Sequence, residues 1–354
     1  WTFCFDVKER PDSTAVLTHV RVVRSIQVFS APTVPATAVD VDVVDAVDVV
    51  DCTEPEDAQH PCHKSLLRLF RQPQQQMLDP NFWKQLVGND VLPSLSIGNF
   101  ESKVVGEEAP SDMNVAGAYL QDMGFCRVQM PFNALKELAV AMERLQEKGF
   151  PPVFVFIFDQ PWQMLQALFQ PVAALLGKSP DDIHMSLSVF AWALQAGVSG
   201  QVGSNFGQAH RDKSYKDSHH NGRIGMLTTW IPLVPVGPED GCMHVVPASH
   251  DELFASEDPR HLRPSPPSPS ETTALSCQAG EVLMWKANLI HWGAACSSTR
   301  PRRSMATAFV TKDVEAFNAL ASATRHELPE DIETRLRIIV KSLLQYKSWY
   351  PDFL

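Results

Sequence analysis

Met226–Val236 (MLTTWIPLVPV) is a β-branched and aromatic run that stops at a Pro and Gly cluster, and Met243–Pro247 (MHVVP) resumes the pattern beyond it. Runs of this composition bounded by turn residues read as strands. Leu187–Ala193, Glu281–Lys286 and Met305–Thr311 repeat the same grammar. Short strands at this spacing point to antiparallel sheets packed as a sandwich or barrel. One interruption, Ser256–Thr273, is rich in Pro and Ser and reads as a long surface loop.

Helical patterns flank this region. Ala116–Met123 reads as a short helix and Phe125–Met130 as a strand. Asn133 is a candidate N-cap for the helix that follows, with Leu135, Leu138, Met142 and Leu145 at helical spacing. Gly149 and the pair Pro151-Pro152 close it. Another helix opens at Asp159-Gln160-Pro161, carries Trp162, Leu165, Leu168, Phe169, Val172 and Leu175 as its apolar stripe, and stops at Gly177. Near the C-terminus Pro329-Glu330-Asp331 is a start signal, and Ile332, Leu336, Ile339, Val340 and Leu343 form a stripe.

Residues 1–112 differ from the rest and read as an N-terminal extension, partly disordered or low in complexity, before an organised domain over 113–354. Val39–Asp51 alternates Val and Asp, which has the period of a strand but also the acidity of a disordered run. Gln72–Gln76 reads as linker and His63–Arg71 as a short helix. His60-Pro61-Cys62-His63 is either a zinc-site fragment or a polar loop, and no second ligand pair stands at finger spacing.

The net charge of -11 argues against a nucleic-acid surface, which is ordinarily basic. No apolar stretch reaches the length of a membrane span. The seven cysteines are scattered and include no C-x-x-C pair, so the expected setting is reducing and intracellular, cytoplasmic or organellar. The chain begins at Trp1, and a targeting segment ahead of it would not be seen. Oligomeric state and substrate identity are not written in the sequence.

The chemistry concentrates in Gln208–Asp212 (QAHRD). On an extended segment residues i and i+2 share a face, so His210 and Asp212 can reach one metal together. Alone, that spacing also fits a surface hydrogen-bonded pair. Leu289–Trp292 (LIHW) offers a second histidine, His291, after another strand; its plainer reading is a buried structural residue. Two histidines and a carboxylate on one face of a metal leave positions open for a chelating cosubstrate and dioxygen, the facial triad of non-haem iron(II) oxygenases. Arg302 and Ser304 lie on one face of the next strand, where a guanidinium and a hydroxyl can receive a carboxylate. Arg303 is the rival within the run Arg300–Arg303, and strand parity favours Arg302.

The ordered set Ala209–Asp212, Thr228–Leu233, Asp240–His250 (DGCMHVVPASH), Gly280–Trp285 (GEVLMW), Ile290–Trp292 and Arg302–Ser304 resembles the phytanoyl-CoA dioxygenase family, over roughly Leu120 to Thr311. The resemblance implies an α+β fold with a double-stranded β-helix, or jelly-roll, core flanked by helices. It implies Fe(II), 2-oxoglutarate and O2 as cofactors, and hydroxylation of a small or lipid-like substrate with release of succinate and CO2. By position, His210, Asp212 and His291 would hold iron, and Arg302 and Ser304 would anchor 2-oxoglutarate, with Thr229 a further contact or simply a packed strand residue. Related iron halogenases lack the carboxylate ligand; Asp212 therefore favours hydroxylation or desaturation. Ala209 and Trp292 depart from the family pattern, so an acyl-CoA substrate is not implied.

Trp230, Trp285 and Trp292 read as core or lid residues, His244 and His250 as structural, and His219-His220 as a loop at a pocket mouth. Two other classes stand beside this reading: a catalytically degenerate jelly-roll metal-binding module, and a zinc hydrolase using the same triad, for which no general base is evident.

Overall fold

The structure is a computed structural model that describes residues 2–9, 15–23, 74–100, 113–194 and 208–345. The expectations for Val39–Asp51, His60–His63 and His63–Arg71 lie outside the described residues. The chain divides into two units, Trp1–Gln74 and Gln75–Leu354. In the first, β1 (Thr2–Glu9) pairs antiparallel with β2 (Ala15–Val23), and the register shifts between Asp6 and Val7.

Ordered structure in the second unit starts well ahead of Met113. Gln74–Met77 (α1) makes a turn of helix where the sequence suggested linker. Pro80–Val87 (α2) follows, opened by Asp79, whose carboxylate accepts the Asn81 N–H at 2.9 Å. Proline at the first helical position costs nothing, because its missing N–H would be unpaired there anyway. Trp83 and Val87 are completely buried, and Trp83 stacks on Phe154 at 5.5 Å. So part of the segment read as a loose extension is core. It is too short for an apolar period to announce it.

Met113–Met123 (α3), Phe125–Gln129 (β3) and Leu135–Glu147 (α4) come next. The cap of α4 is Ala134, not Asn133; it sits in left-handed backbone at φ 60° with no side-chain cap bond. After the wholly buried turn Pro152–Ile157, the expected single helix is two, Asp159–Ala167 (α5) and Phe169–Leu176 (α6), divided at Leu168. Pro171 explains the break, since it has no N–H to give the Ala167 carbonyl.

The strands are Ile183–Ser186 (β4), Phe190–Leu194 (β5), His219–His220 (β6), Arg223–Ile224 (β7), Met226–Pro232 (β8), Met243–Val245 (β9), Thr273–Leu275 (β10), Glu281–Lys286 (β11), His291–Gly293 (β12), Arg302–Thr311 (β13) and Ser322–Ala323 (β14), with a helical turn at Tyr215–Ser218 (α7). A larger antiparallel sheet runs β14-β4-β13-β8-β11-β3, with β5 also on β13; a smaller one runs β10-β9-β12. Phe125, Trp230, Leu283 and Trp285 from the larger sheet share one apolar cluster with Met243, Val245 and Leu275 from the smaller. The fold is therefore mixed, with two antiparallel sheets packed face to face and helices around them. No helix among the described residues is long and apolar enough to cross a membrane.

Ile332–Gln345 (α8) buries Arg335, Ile338, Ile339 and Leu343, a face rotated from the expected stripe. Arg335 reaches Asp159 at 2.6 Å, and both side chains are fully buried. Asp159 also accepts the Gly98 and Asn99 N–H groups at 3.0 Å each, so one carboxylate ties 98–99 and α8 to the start of α5. Removing one partner strands the other charge. Arg335→Met is expected to lose about 3–5 kcal/mol of unfolding free energy in urea melts; a loss under 1 kcal/mol would refute this role.

Candidate metal centre

A turn and a backbone bridge bring the three candidate ligands together. Gly124 joins α3 to β3 in left-handed backbone (φ 83°), and a Cβ there would stand 2.7 Å from Leu289 Cδ1. Only glycine lets that turn pass beneath the segment leading to His291. On the other side, His210 and His291 exchange backbone bonds: His210 N–H donates to the His291 carbonyl at 3.0 Å, and His291 N–H donates back at 2.9 Å. Residue 210 thus pairs with β12 as an isolated bridge.

Each histidine is oriented the same way. His210 Nδ1 lies 3.0 Å from the Gln208 carbonyl, and His291 Nδ1 lies 3.0 Å from the Leu289 carbonyl. A carbonyl can only accept, so each Nδ1 carries a proton and each Nε2 is the nitrogen turned toward the centre. Both Nε2 atoms converge on Asp212 Oδ1, at 3.7 Å from His210 and 3.5 Å from His291. Ligand atoms of all three lie within 4.8 Å of one another. The other carboxylate oxygen is held, since Thr228 Oγ1 donates to Asp212 Oδ2 at 2.7 Å. This leaves Oδ1 for an ion.

Electrostatics suits the arrangement. Burial pushes the His210 imidazole down to about 4, with the neighbouring His291 adding and Asp212 opposing. Burial alone would raise the Asp212 carboxyl, but the two imidazoles and the Thr228 hydroxyl outweigh it and hold it below the usual carboxylate range. A neutral imidazole beside a carboxylate is the form a metal takes up.

Arg302 and Ser304 lie on the inner face of β13, in register with Leu194 and with Trp192 and Pro232. Arg302 is 1% exposed, donates to the Gly241 carbonyl and lies 5.9 Å from the Trp230 ring centroid. Burial pulls its guanidinium down to about 9, slightly offset by Cys242 and Cys296. Ser304 Oγ is buried with no hydrogen-bond partner among the described residues. Arg303 points the other way and pairs with Glu143 at 2.9 Å.

Thr229 is placed on the opposite face from the ligands. Its hydroxyl donates to the Thr307 carbonyl at 3.1 Å within the sheet, and it is the neighbour Thr228 that faces Asp212. Trp230 and Trp285 are buried, and the Trp285 ring lies 4.8 Å from His291. Trp292 stacks on His244 at 5.4 Å across the β9–β12 pair, while His250 is exposed.

His219 stacks on Tyr215 at 3.9 Å and lines a cavity of about 390 Å³ with Phe254 and Lys286. Burial, then the charge of Lys286, pushes His219 down to about 4. Two histidines held neutral in the fold have a stability consequence. Both take up a proton more readily when unfolded, so unfolding is favoured as pH falls from about 6.5 to about 4, and above that window they contribute no pH dependence. The metal-free protein should lose on the order of 3 kcal/mol across this window after solvent screening. Urea melts from pH 7 to pH 4 check it; His219→Gln should flatten the slope, and an unchanged slope would refute the assignment.

Residues 172–304 match the sequence model of the phytanoyl-CoA dioxygenase family. A comparison with curated protein sequences found no match. Among solved structures, the non-heme monooxygenase ThoJ in its apo form aligns with a TM-score of 0.49 and 15% identity, covering 67% of this chain and 98% of that chain. The non-heme alpha ketoglutarate dependent epimerase SnoN from nogalamycin biosynthesis aligns at 0.40 and 17%, covering 60% and 89%. HygX from Streptomyces hygroscopicus, with nickel and 2-oxoglutarate bound, aligns at 0.40 and 16%, covering 58% and 89%. The stretch that matches this family model carries His210, Asp212, His291, Arg302 and Ser304.

Proposed function

We propose that this protein is an Fe(II)- and 2-oxoglutarate-dependent dioxygenase that hydroxylates a small or lipid-like organic substrate, on a double-stranded β-helix core formed by the two packed sheets. The observation that carries the reading is the convergence of two Nε2 atoms and one Asp212 oxygen. The inner-face pair of Arg302 and Ser304 supports it, because a desolvated guanidinium and an orphaned hydroxyl suit an incoming carboxylate.

His210, Asp212 and His291 would hold the iron on one face. Arg302 and Ser304 would receive the distal carboxylate of 2-oxoglutarate. Thr228 keeps Asp212 to a single ligating oxygen. Trp285, against His291, and Trp230, against Arg302, exclude water from the wall of the site. When bound, the iron and cosubstrate supply the oxidising chemistry with dioxygen, yielding succinate, CO2 and a hydroxylated carbon. SnoN is named as an epimerase, which marks how the outcome can depend on what is placed beside the metal. Asp212 fills the position a halide would need, so hydroxylation is preferred here over halogenation.

An anaerobic titration with Fe(II) and 2-oxoglutarate tests the reading. A weak visible charge-transfer band should appear, and succinate should form once oxygen is admitted. Absence of both in the folded protein would refute it.

A further inference from the structure

Arg211 stands between two of the ligands and points away from both. Extended backbone alternates its side chains, so His210 and Asp212 face the centre while Arg211 enters the protein behind them. Its side chain is 2% exposed and meets Asp251, 5% exposed, through both terminal nitrogens, at 2.5 and 3.0 Å. Nη1 also donates to the Asn288 carbonyl at 2.7 Å, and Nε to the His261 carbonyl at 3.2 Å.

These partners belong to two separate stretches. Asn288 lies in the turn that delivers His291, and its amide donates to the Phe254 carbonyl at 2.7 Å. Asp251 and His261 lie in the long connection after β9. Backbone bonds run beside the side chains: Arg211 N–H to the Leu262 carbonyl and Lys213 N–H to the Ala287 carbonyl, each at 3.0 Å. One guanidinium therefore links the segment bearing His210 and Asp212, the turn leading into His291, and the loop behind both.

We propose that Arg211 and Asp251 are a positioning pair that presets His210, Asp212 and His291 for the metal. The proposal rests on the metal-centre reading above. A buried ion pair is a poor source of stability, because desolvation offsets most of its attraction. What it supplies is fixed geometry: a planar fork holding a carboxylate and two carbonyls allows little drift. Ligands to a metal need placement within about half an ångström, and that accuracy comes from supporting residues. Neither Arg211 nor Asp251 is a ligand, so the effect passes entirely through the three that are.

Co(II) titration of the full chain, followed by its electronic spectrum, tests this in wild type, Arg211→Met, Arg211→Lys and Asp251→Asn. Arg211→Met should bind Co(II) about 10–100-fold more weakly, with a changed band shape. Arg211→Lys should recover only part of the affinity, because a point charge keeps Asp251 but cannot span both carbonyls. Should the Met variant fail to fold, the Lys and Asn variants carry the test, with circular dichroism of the metal-free forms as the check. Folded variants with wild-type affinity and spectrum would overturn the proposal while leaving the functional reading intact. A wild type that takes up no Co(II) would overturn the functional reading, and this proposal with it.

Discussion

Asp212→Ala is expected to abolish metal-dependent turnover while leaving the metal-free fold intact. In the proposed centre Asp212 would be the anionic member of the triad, its Oδ1 at 3.7 and 3.5 Å from the two Nε2 atoms. Four-ligand structural zinc sites supply roughly 10–16 kcal/mol, which is about 2.5–4 kcal/mol per ligand. Losing one should therefore weaken binding roughly a hundred- to a thousandfold at about 1.4 kcal/mol per decade. The loss is specific to the metal. The carboxylate is 29% exposed and accepts from Thr228, so the metal-free melting temperature should stay within about 3 °C of wild type. Metal content after reconstitution and succinate formation are the measurements. Retained iron together with at least a tenth of wild-type turnover would show that Asp212 is not a ligand.

The closeness of His210 and Asp212 follows from a local rule: two side chains two residues apart on extended backbone share a face. The same rule sent Arg302 inward and Arg303 outward, since each neighbour on a strand faces the opposite way. It could not decide between Thr228 and Thr229. Both are equally suited to a strand, and only the pairing with β13 and β11 says which hydroxyl faces Asp212. Arg211 was passed over for a related reason. A charged residue flanked by two candidate ligands reads as the solvent side of a strand, and its partner Asp251 lies in a stretch whose position the sequence does not fix.

Helix faces show the same limit. The C-terminal helix carries enough apolar residues for more than one stripe, and the buried face includes Arg335 because Asp159, far away in the chain, satisfies it. Nothing local distinguishes that arginine from a solvated one. Likewise Trp83 is core through contacts with Phe150 and Phe154, which no periodicity around residue 83 announces. Sheet strands bounded by Pro and Gly were readable; the short strands β4, β10 and β12 were not. Three or four residues carry too little pattern, and pairing partners define them.

Arg302→Met should raise the KM for 2-oxoglutarate about 100-fold or more, with a smaller change in kcat at saturation and only a modest loss of thermal stability. The guanidinium is 1% exposed, and burial draws it down to about 9. Below that pH the folded protein holds the charge at a cost, which an arriving carboxylate would offset. The turn above it is fixed: Gly241, whose carbonyl accepts from Arg302, lies at φ 78°, and a Cβ there would stand 2.6 Å from the Ala294 carbonyl oxygen. Ser304, two residues along the same face, adds a buried hydroxyl with no hydrogen-bond partner among the described residues. Hydrogen bonds to charged groups contribute about 1.5–3 kcal/mol each, so a bidentate contact is worth roughly 3–5 kcal/mol. That is about two to three and a half decades of affinity. Methionine fills similar volume but takes away the donor to the buried Gly241 carbonyl, a loss of about 1–3 kcal/mol. The expected signature is therefore weakened cosubstrate affinity beside only a modest fall in melting temperature. Steady-state kinetics over 2-oxoglutarate concentration, paired with thermal melts, resolve the two; an unchanged KM would place the carboxylate anchor elsewhere.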